Sequence, residues 1–191
     1  SQEFFKKQTA KEENKILYMG RISPIKDIAT LVKCIPQLKD KSTILEIYGP
    51  AEEVYFKELT KLIVTLKLED RVFITNKVYT SQTELEKLDS SKVFVLPSVS
   101  EGMPQVLIEA LARKKIVIAS NNKGSTDIIE DGKNGFIFEI GNSKSLADKI
   151  NSVANLSKSS INKIKENAVN TSKKFKWENL IKQLISIISK A

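Results

Sequence analysis

Six short runs rich in Val, Ile and Leu, most of them followed by a stretch of helical character, are the feature of this 191-residue chain that most restricts its fold. The runs lie at about 15–19, 43–48, 71–75, 92–96, 115–119 and 136–138. Helical stretches fall at about 24–39, 52–68, 83–89, 104–113 and 126–130, and three more, near 143–155, 158–172 and 177–190, close the chain. Strands apolar on both faces need cover on both, and helices between successive strands supply it while enforcing parallel pairing. The pattern predicts an α/β fold: a doubly wound, mostly parallel, six-stranded Rossmann-like sheet with C-terminal helices. The expected division is an N-terminal extension or linker at 1–14, a sheet domain at 15–156 and a helical tail at 157–191.

In such a sheet, ligands bind beyond the carboxyl ends of the strands. Those ends are Gly20-Arg21, Gly49-Pro50, Thr75-Asn76, Ser98 to Pro104 and Ser120 to Ser125, all small or polar. In the first loop, Ser23 is expected to cap a helix and Pro24 to open it, which puts Lys26 in the first turn. The helix dipole disfavours a cation there. An anion held by free N–H groups, Arg21 and Lys26 would reconcile the placement; an exposed lysine is the blander alternative.

The fourth loop and its helix, Ser98 to Ala112, carry the stronger signal. Pro104 marks a helix start, and Gly102 lets backbone approach a ligand. Glu109 interrupts the apolar run Val106 to Ala112. A carboxylate buried there needs hydrogen-bond donors, and sugar or ribose hydroxyls are suitable ones. Glu101 precedes the helix and is expected to point into the crevice. Either glutamate alone could face solvent; two, eight residues apart around Gly-x-Pro, are harder to dismiss.

Composition removes other chemistries. With no histidine, Ser-His and Cys-His nucleophiles and the commonest zinc sites are excluded. Neither Gly-x-Gly-x-x-Gly nor Gly-x4-Gly-Lys-Ser/Thr occurs. The one cysteine, Cys34, sits in the apolar Leu31-Val32-Lys33-Cys34-Ile35 and is expected in the core. The net charge is +8, of which 151–191 contribute +6 through eight lysines against two glutamates. That is either a basic tail for polyanions or solvated helix faces; the lysines lack the interleaved aromatics of a single-strand binder. Trp177, Leu180, Leu184 and Ile188 form an apolar stripe expected to dock on the core or on another domain.

The stretch around Glu101 and Glu109 resembles the paired-glutamate signature of retaining glycosyltransferases of the GT-B fold, family 4. Ile16 to Ile22 followed by Lys26 is similar to that family's Gly-Arg … Lys element. Leu68 to Ile74, Asp131 to Phe136 and Phe175 to Glu178 resemble further family segments, in the same order. Where the family often has glycine after its lysine, this chain has Asp27; its glycine pair after the fifth strand is Lys123-Gly124-Ser125 here.

The resemblance implies roles. Arg21 and Lys26 would bind the donor diphosphate and, with Glu101 on the sugar hydroxyls, form the catalytic set. Glu109 would hold the ribose, Gly20, Gly102, Met103, Pro104 and Gln105 would approach sugar and phosphate, and Gly49, Pro50 and Asn76 would line the nucleotide side. It implies a UDP-, GDP- or ADP-sugar donor, no metal and no other cofactor. It also implies an N-terminal acceptor domain outside this chain, and so an excised C-terminal half with little activity alone. A cytoplasmic location is expected, with peripheral association at the inner face of the membrane through the basic surface, and no nucleic-acid partner. Two alternatives stay open: a sugar-nucleotide epimerase half-domain of the same architecture, and a non-catalytic module whose basic tail binds nucleic acid or anionic lipid.

Overall fold

A computed structural model describes residues 2–5, 10–176, 179, 181 and 185. Its strands are β1 (Lys15–Met19), β2 (Ile44–Gly49), β3 (Val72–Asn76), β4 (Val93–Leu96), β5 (Ile116–Ser120) and β6 (Phe136–Phe138). They form one sheet in the order β3-β2-β1-β4-β5-β6, and every pairing is parallel, where the sequence predicted only mostly so. The helices are α1 (Ile28–Cys34), α2 (Glu53–Thr65), α3 (Ser81–Ser90), α4 (Gln105–Ala112), α5 (Lys123–Thr126), α6 (Ser143–Ala154) and α7 (Lys158–Lys174). Contacts join α1 to α2 and α6, and α4 to α7. Right-handed crossovers from a sheet of this order put those two groups on opposite faces.

Burial follows position. Every residue of β4 and β5 is buried, because these strands have a neighbour on each side and helices on each face. At the β3 edge Phe73 is left exposed. Cys34 is in the core, and burial pushes its thiol up to about 12.

Two helices differ from expectation. The stretch 24–39 is not one helix but a 3-10 turn at Pro24–Lys26, then α1, then a second 3-10 turn at Ile35–Gln37. Asp27 breaks it, adopting the left-handed conformation (φ 44°, ψ 45°) and capping α1 by accepting from Thr30 N–H at 3.4 Å. Ser23, the expected cap, makes no side-chain cap bond. Pro36 ends the regular helix because it has no N–H to donate. The expected helix at 126–130 is instead α5, three residues earlier, because Asn122 caps it by accepting from Ser125 N–H at 3.0 Å.

Both ends of the described chain are tied to the sheet domain. Phe4, in a 3-10 turn at Gln2–Phe5, is buried in the core. Glu12 accepts from Lys115 at 3.0 Å and from Lys165 of α7 at 2.8 Å. Lys115 is wholly buried and also donates to the carbonyls of Asp89 (3.1 Å) and Ser91 (2.9 Å). Burial holds the Lys115 ammonium below the usual lysine range, against the opposing pull of Glu12. Arg113 and Asp89 form a second buried ion pair beside it. The stripe at Trp177, Leu180, Leu184 and Ile188 lies outside the described residues. No helix among the described residues is long and apolar enough to cross a membrane.

The ends of β1 and β2 touch through glycine. Gly20 and Gly49 have φ of 146° and 152°, and a Cβ on Gly49 would lie 2.0 Å from the Gly20 carbonyl oxygen. Gly49→Ala is therefore expected to destabilise the fold by about 3 kcal/mol, combining backbone strain with an unrelieved clash. Urea denaturation would show it as a lower midpoint at unchanged slope.

Candidate functional site

The strand order reverses between β1 and β4, so the loops leaving these neighbours diverge and open a crevice between them. The loops after β1 and β4 are the two that the sequence singled out. Two contacts bridge them. The Val99 N–H donates to the Ile25 carbonyl at 2.9 Å, and the Lys26 ammonium donates to Glu101 Oε1 at 2.7 Å. The Ser98 hydroxyl donates to the same Glu101 oxygen at 2.6 Å. The Ser98 carbonyl in turn accepts from the Ser120 hydroxyl and from Asn122 Nδ2. Tyr18, buried at the end of β1, donates to the Arg21 carbonyl at 2.6 Å. Burial pushes the Tyr18 phenol well above its ordinary value, and the Glu101 charge adds to the shift. Tyr18 therefore stays a donor.

A cavity of about 390 Å³ lies here, and Gly20, Arg21, Lys26, Glu101, Met103, Pro104 and Gln105 all line it. These seven predicted residues come together. The Lys26–Glu101 pair is mostly buried, with side chains 22% and 12% exposed. Lys26 closes the 3-10 turn rather than sitting in the first turn of a helix, and Glu101 supplies its counter-charge. Arg21 is exposed, and its guanidinium makes no hydrogen bond or ion pair with the described residues. Ser23 adds a hydroxyl on the cavity wall that is buried without a partner. The sequence treated Ser23 only as a cap.

Five predicted residues lie outside this cavity. The Gly49 carbonyl accepts from Lys77 N–H (3.2 Å) and the Pro50 carbonyl from Ile22 N–H (2.8 Å). Asn76 Oδ1 accepts from Ala51 N–H at 2.9 Å. These bonds lace the first three rim loops together. Gly102 stands in the open, with nothing within 4 Å of a Cβ built on it. The glycine that permits a close approach to this loop is Gly124, whose Cβ would meet the Glu101 and Gly102 carbonyl oxygens at 2.5 and 2.6 Å.

Glu109, the fifth, is half-buried and faces Glu84 of α3 at hydrogen-bonding range. Glu84 is only 8% exposed. Burial, then the Glu109 charge, pushes the Glu84 carboxyl up to about 8. Tyr79, just before α3, is pushed up to about 12 by burial and then by the charges of Glu84 and Glu109. Its ring packs edge-on against Tyr48 at 6.0 Å. The sequence reading missed both residues. A signal was present: Glu84 precedes the core residue Leu88 by four, so the two share a helix face.

The sequence profile described as glycosyl transferases group 1 matches residues 1–171. The chain belongs to that family. One relative, the poly(ribitol-phosphate) alpha-N-acetylglucosaminyltransferase of Staphylococcus aureus, is 31% identical over 90% of this chain and 34% of its own length. HepE from Anabaena, solved with UDP and glucose, superposes with a TM-score of 0.84 at 24% identity, over 94% of this chain and 49% of its own. A TarM variant from S. aureus, solved with fondaparinux, alpha-GlcNAc-glycerol and UDP, gives 0.81 at 26% identity, over 95% of this chain and 37% of its own. The fold is thus that of half of a GT-B glycosyltransferase, and this chain spans about half or less of the curated relatives it matches first. No cluster of potential metal ligands occurs among the described residues.

Gly124→Ala is expected to cost about 1–3 kcal/mol, because backbone carbonyls cannot yield as a flexible side chain would. A crystal structure of the variant should show 101–102 displaced from α5; an unmoved loop with unchanged stability would refute the close-packing account.

Proposed function

We propose that this chain binds the nucleoside-diphosphate sugar for a glycosyltransferase that works with retention and without a metal, the acceptor site being on a further domain. The observation that carries it is the cavity at the strand-order reversal, where a free guanidinium, a lysine–glutamate pair and an unpartnered hydroxyl converge. Arg21 and Lys26 meet the diphosphate, Glu101 accepts from sugar hydroxyls, and Glu109 accepts from the ribose. In the reaction the bond between the anomeric carbon and the diphosphate oxygen breaks, a bond to an acceptor hydroxyl oxygen forms, and the hydroxyl proton leaves with the diphosphate. The leaving diphosphate gains negative charge, and cations fixed beforehand stabilise that charge in the transition state. The UDP bound by the TarM variant and the transferase name of the S. aureus relative support this assignment. We further propose a cytoplasmic location with peripheral association at the inner face of the membrane, a reading supported by the exposed lysines 158, 163, 173 and 174.

Thermal shift with UDP-, GDP- and ADP-sugars tests the proposal. The preferred donor at 100 times its Kd should add about 2.7 kcal/mol of stability. Arg21→Ala should weaken binding about 10–100-fold, the worth of a charged hydrogen bond. Glu101→Ala and Glu109→Ala should abolish it. Salt-sensitive binding of polyanions that survives both glutamate substitutions, with no response to any nucleotide sugar, would instead establish a polyanion-binding module.

A further inference from the structure

Glu84 occupies a position the core would give to an apolar residue. It lies on the buried face of α3 with Leu88, and its Oε1 is sealed from solvent with no donor in reach. A buried carboxylate in that state is costly. A neighbour makes the cost worse: Glu109 of α4 brings a like charge to it. Lys87, on the same helix, is bonded to Glu46 of β2 instead. No lysine or arginine among the described residues pairs with Glu84 or Glu109. Two carboxyls facing each other form a hydrogen bond only when a proton lies between them.

We propose that Glu84 is a positioning residue: its neutral carboxyl donates to Glu109 and fixes the Glu109 carboxylate for the ribose hydroxyls of the donor. The proposal rests on the donor-site assignment above and adds to it a residue outside both predicted motifs. With one oxygen of Glu109 held by Glu84, the other is left to accept from the ribose diol. When Glu84 ionises, the pair repels, and Glu109 loses both its orientation and a partner.

Two measurements decide it. The first needs no ligand. The folded chain keeps the Glu84 proton up to about pH 8, while the unfolded chain releases it near 4.5. The stability this proton confers is complete below the lower value and is lost as pH rises to the upper one. Glu84→Gln is neutral at every pH and retains a donor. Its melting temperature should gain on the wild type progressively between pH 5 and 8; parallel curves would overturn the proposal.

The second measurement is calorimetric titration with UDP, GDP and ADP at pH 7 and 9. At pH 9 only about a tenth of the Glu84 carboxyl stays protonated, so wild-type Kd should rise about tenfold. Glu84→Gln carries the same lysines and meets the same nucleotide, so every other titration cancels, and its Kd should change far less. The 2′,3′-dideoxy form of the same diphosphate should bind the wild type weakly at both pH values, with no tenfold change. Equal pH slopes for wild type and Glu84→Gln would overturn the role of Glu84 and leave the donor site standing. Failure of all three diphosphates to bind either chain would overturn the donor site itself.

Discussion

The bridge between the loops after β1 and β4 is the constraint on which the rest of the site depends. A parallel sheet sends every strand end to one rim, but only at the reversal of strand order do two neighbouring loops leave in opposite directions. Left alone they would splay. The Val99–Ile25 backbone bond and the Lys26–Glu101 pair hold them at a fixed separation. Each half of the bridge is anchored in turn. Ser120 and Asn122 hold the Ser98 carbonyl, and Tyr18 holds that of Arg21. Side chains from β1, β5 and the α5 cap thereby set the geometry of two loops that have no regular structure of their own. Such support keeps polar groups in place before a ligand arrives.

Strand positions were legible because burial on both faces leaves a compositional trace. Val93–Leu96 and Ile116–Ser120 read as apolar runs and are buried throughout. The helix after β1 was misread because Ser23 and Pro24 satisfy the local rules for a helix start, while Asp27 gives no warning of a left-handed backbone. Asp27 stands where the related family often has glycine, and it adopts a conformation glycine takes freely. The aspartate meets the same backbone demand and returns part of the strain as a capping bond. Gly124 and Glu84 were missed for another reason. Their importance comes from what a different segment places beside them, the 101–102 carbonyls in one case and Glu109 in the other.

The basic surplus divides in the same way between structure and solvent. Lys165 is spent on Glu12, and Lys176 lies over the Phe5 ring at 4.1 Å. Lys115 is a buried ammonium satisfied by two carbonyls and a carboxylate, and removing any of these would leave a charge with no water to stabilise it. These contacts fasten the segment before β1 to α7 and to the sheet. Net charge therefore overstates what is available to a polyanion. Lysines at 158, 163, 173 and 174 remain exposed, on a helix whose other side packs on α4.

The Lys26–Glu101 pair also bears on which molecules the proposed donor site would admit. Both side chains are largely withdrawn from water, so neither can lose its partner cheaply. A lone phosphate would draw Lys26 away and strand Glu101. A neutral sugar would satisfy Glu101 and offer Lys26 nothing of opposite charge. A sugar joined to a diphosphate brings hydroxyl donors and anionic oxygens at once, so each member of the pair exchanges one partner for another without an interval of isolation. Selectivity of this kind comes from the penalty on incomplete ligands as much as from attraction to the complete one. It follows from Lys26, six residues beyond Gly20 after one strand, and Glu101, four beyond the buried Pro97 after another, wherever the sheet brings those two strands together.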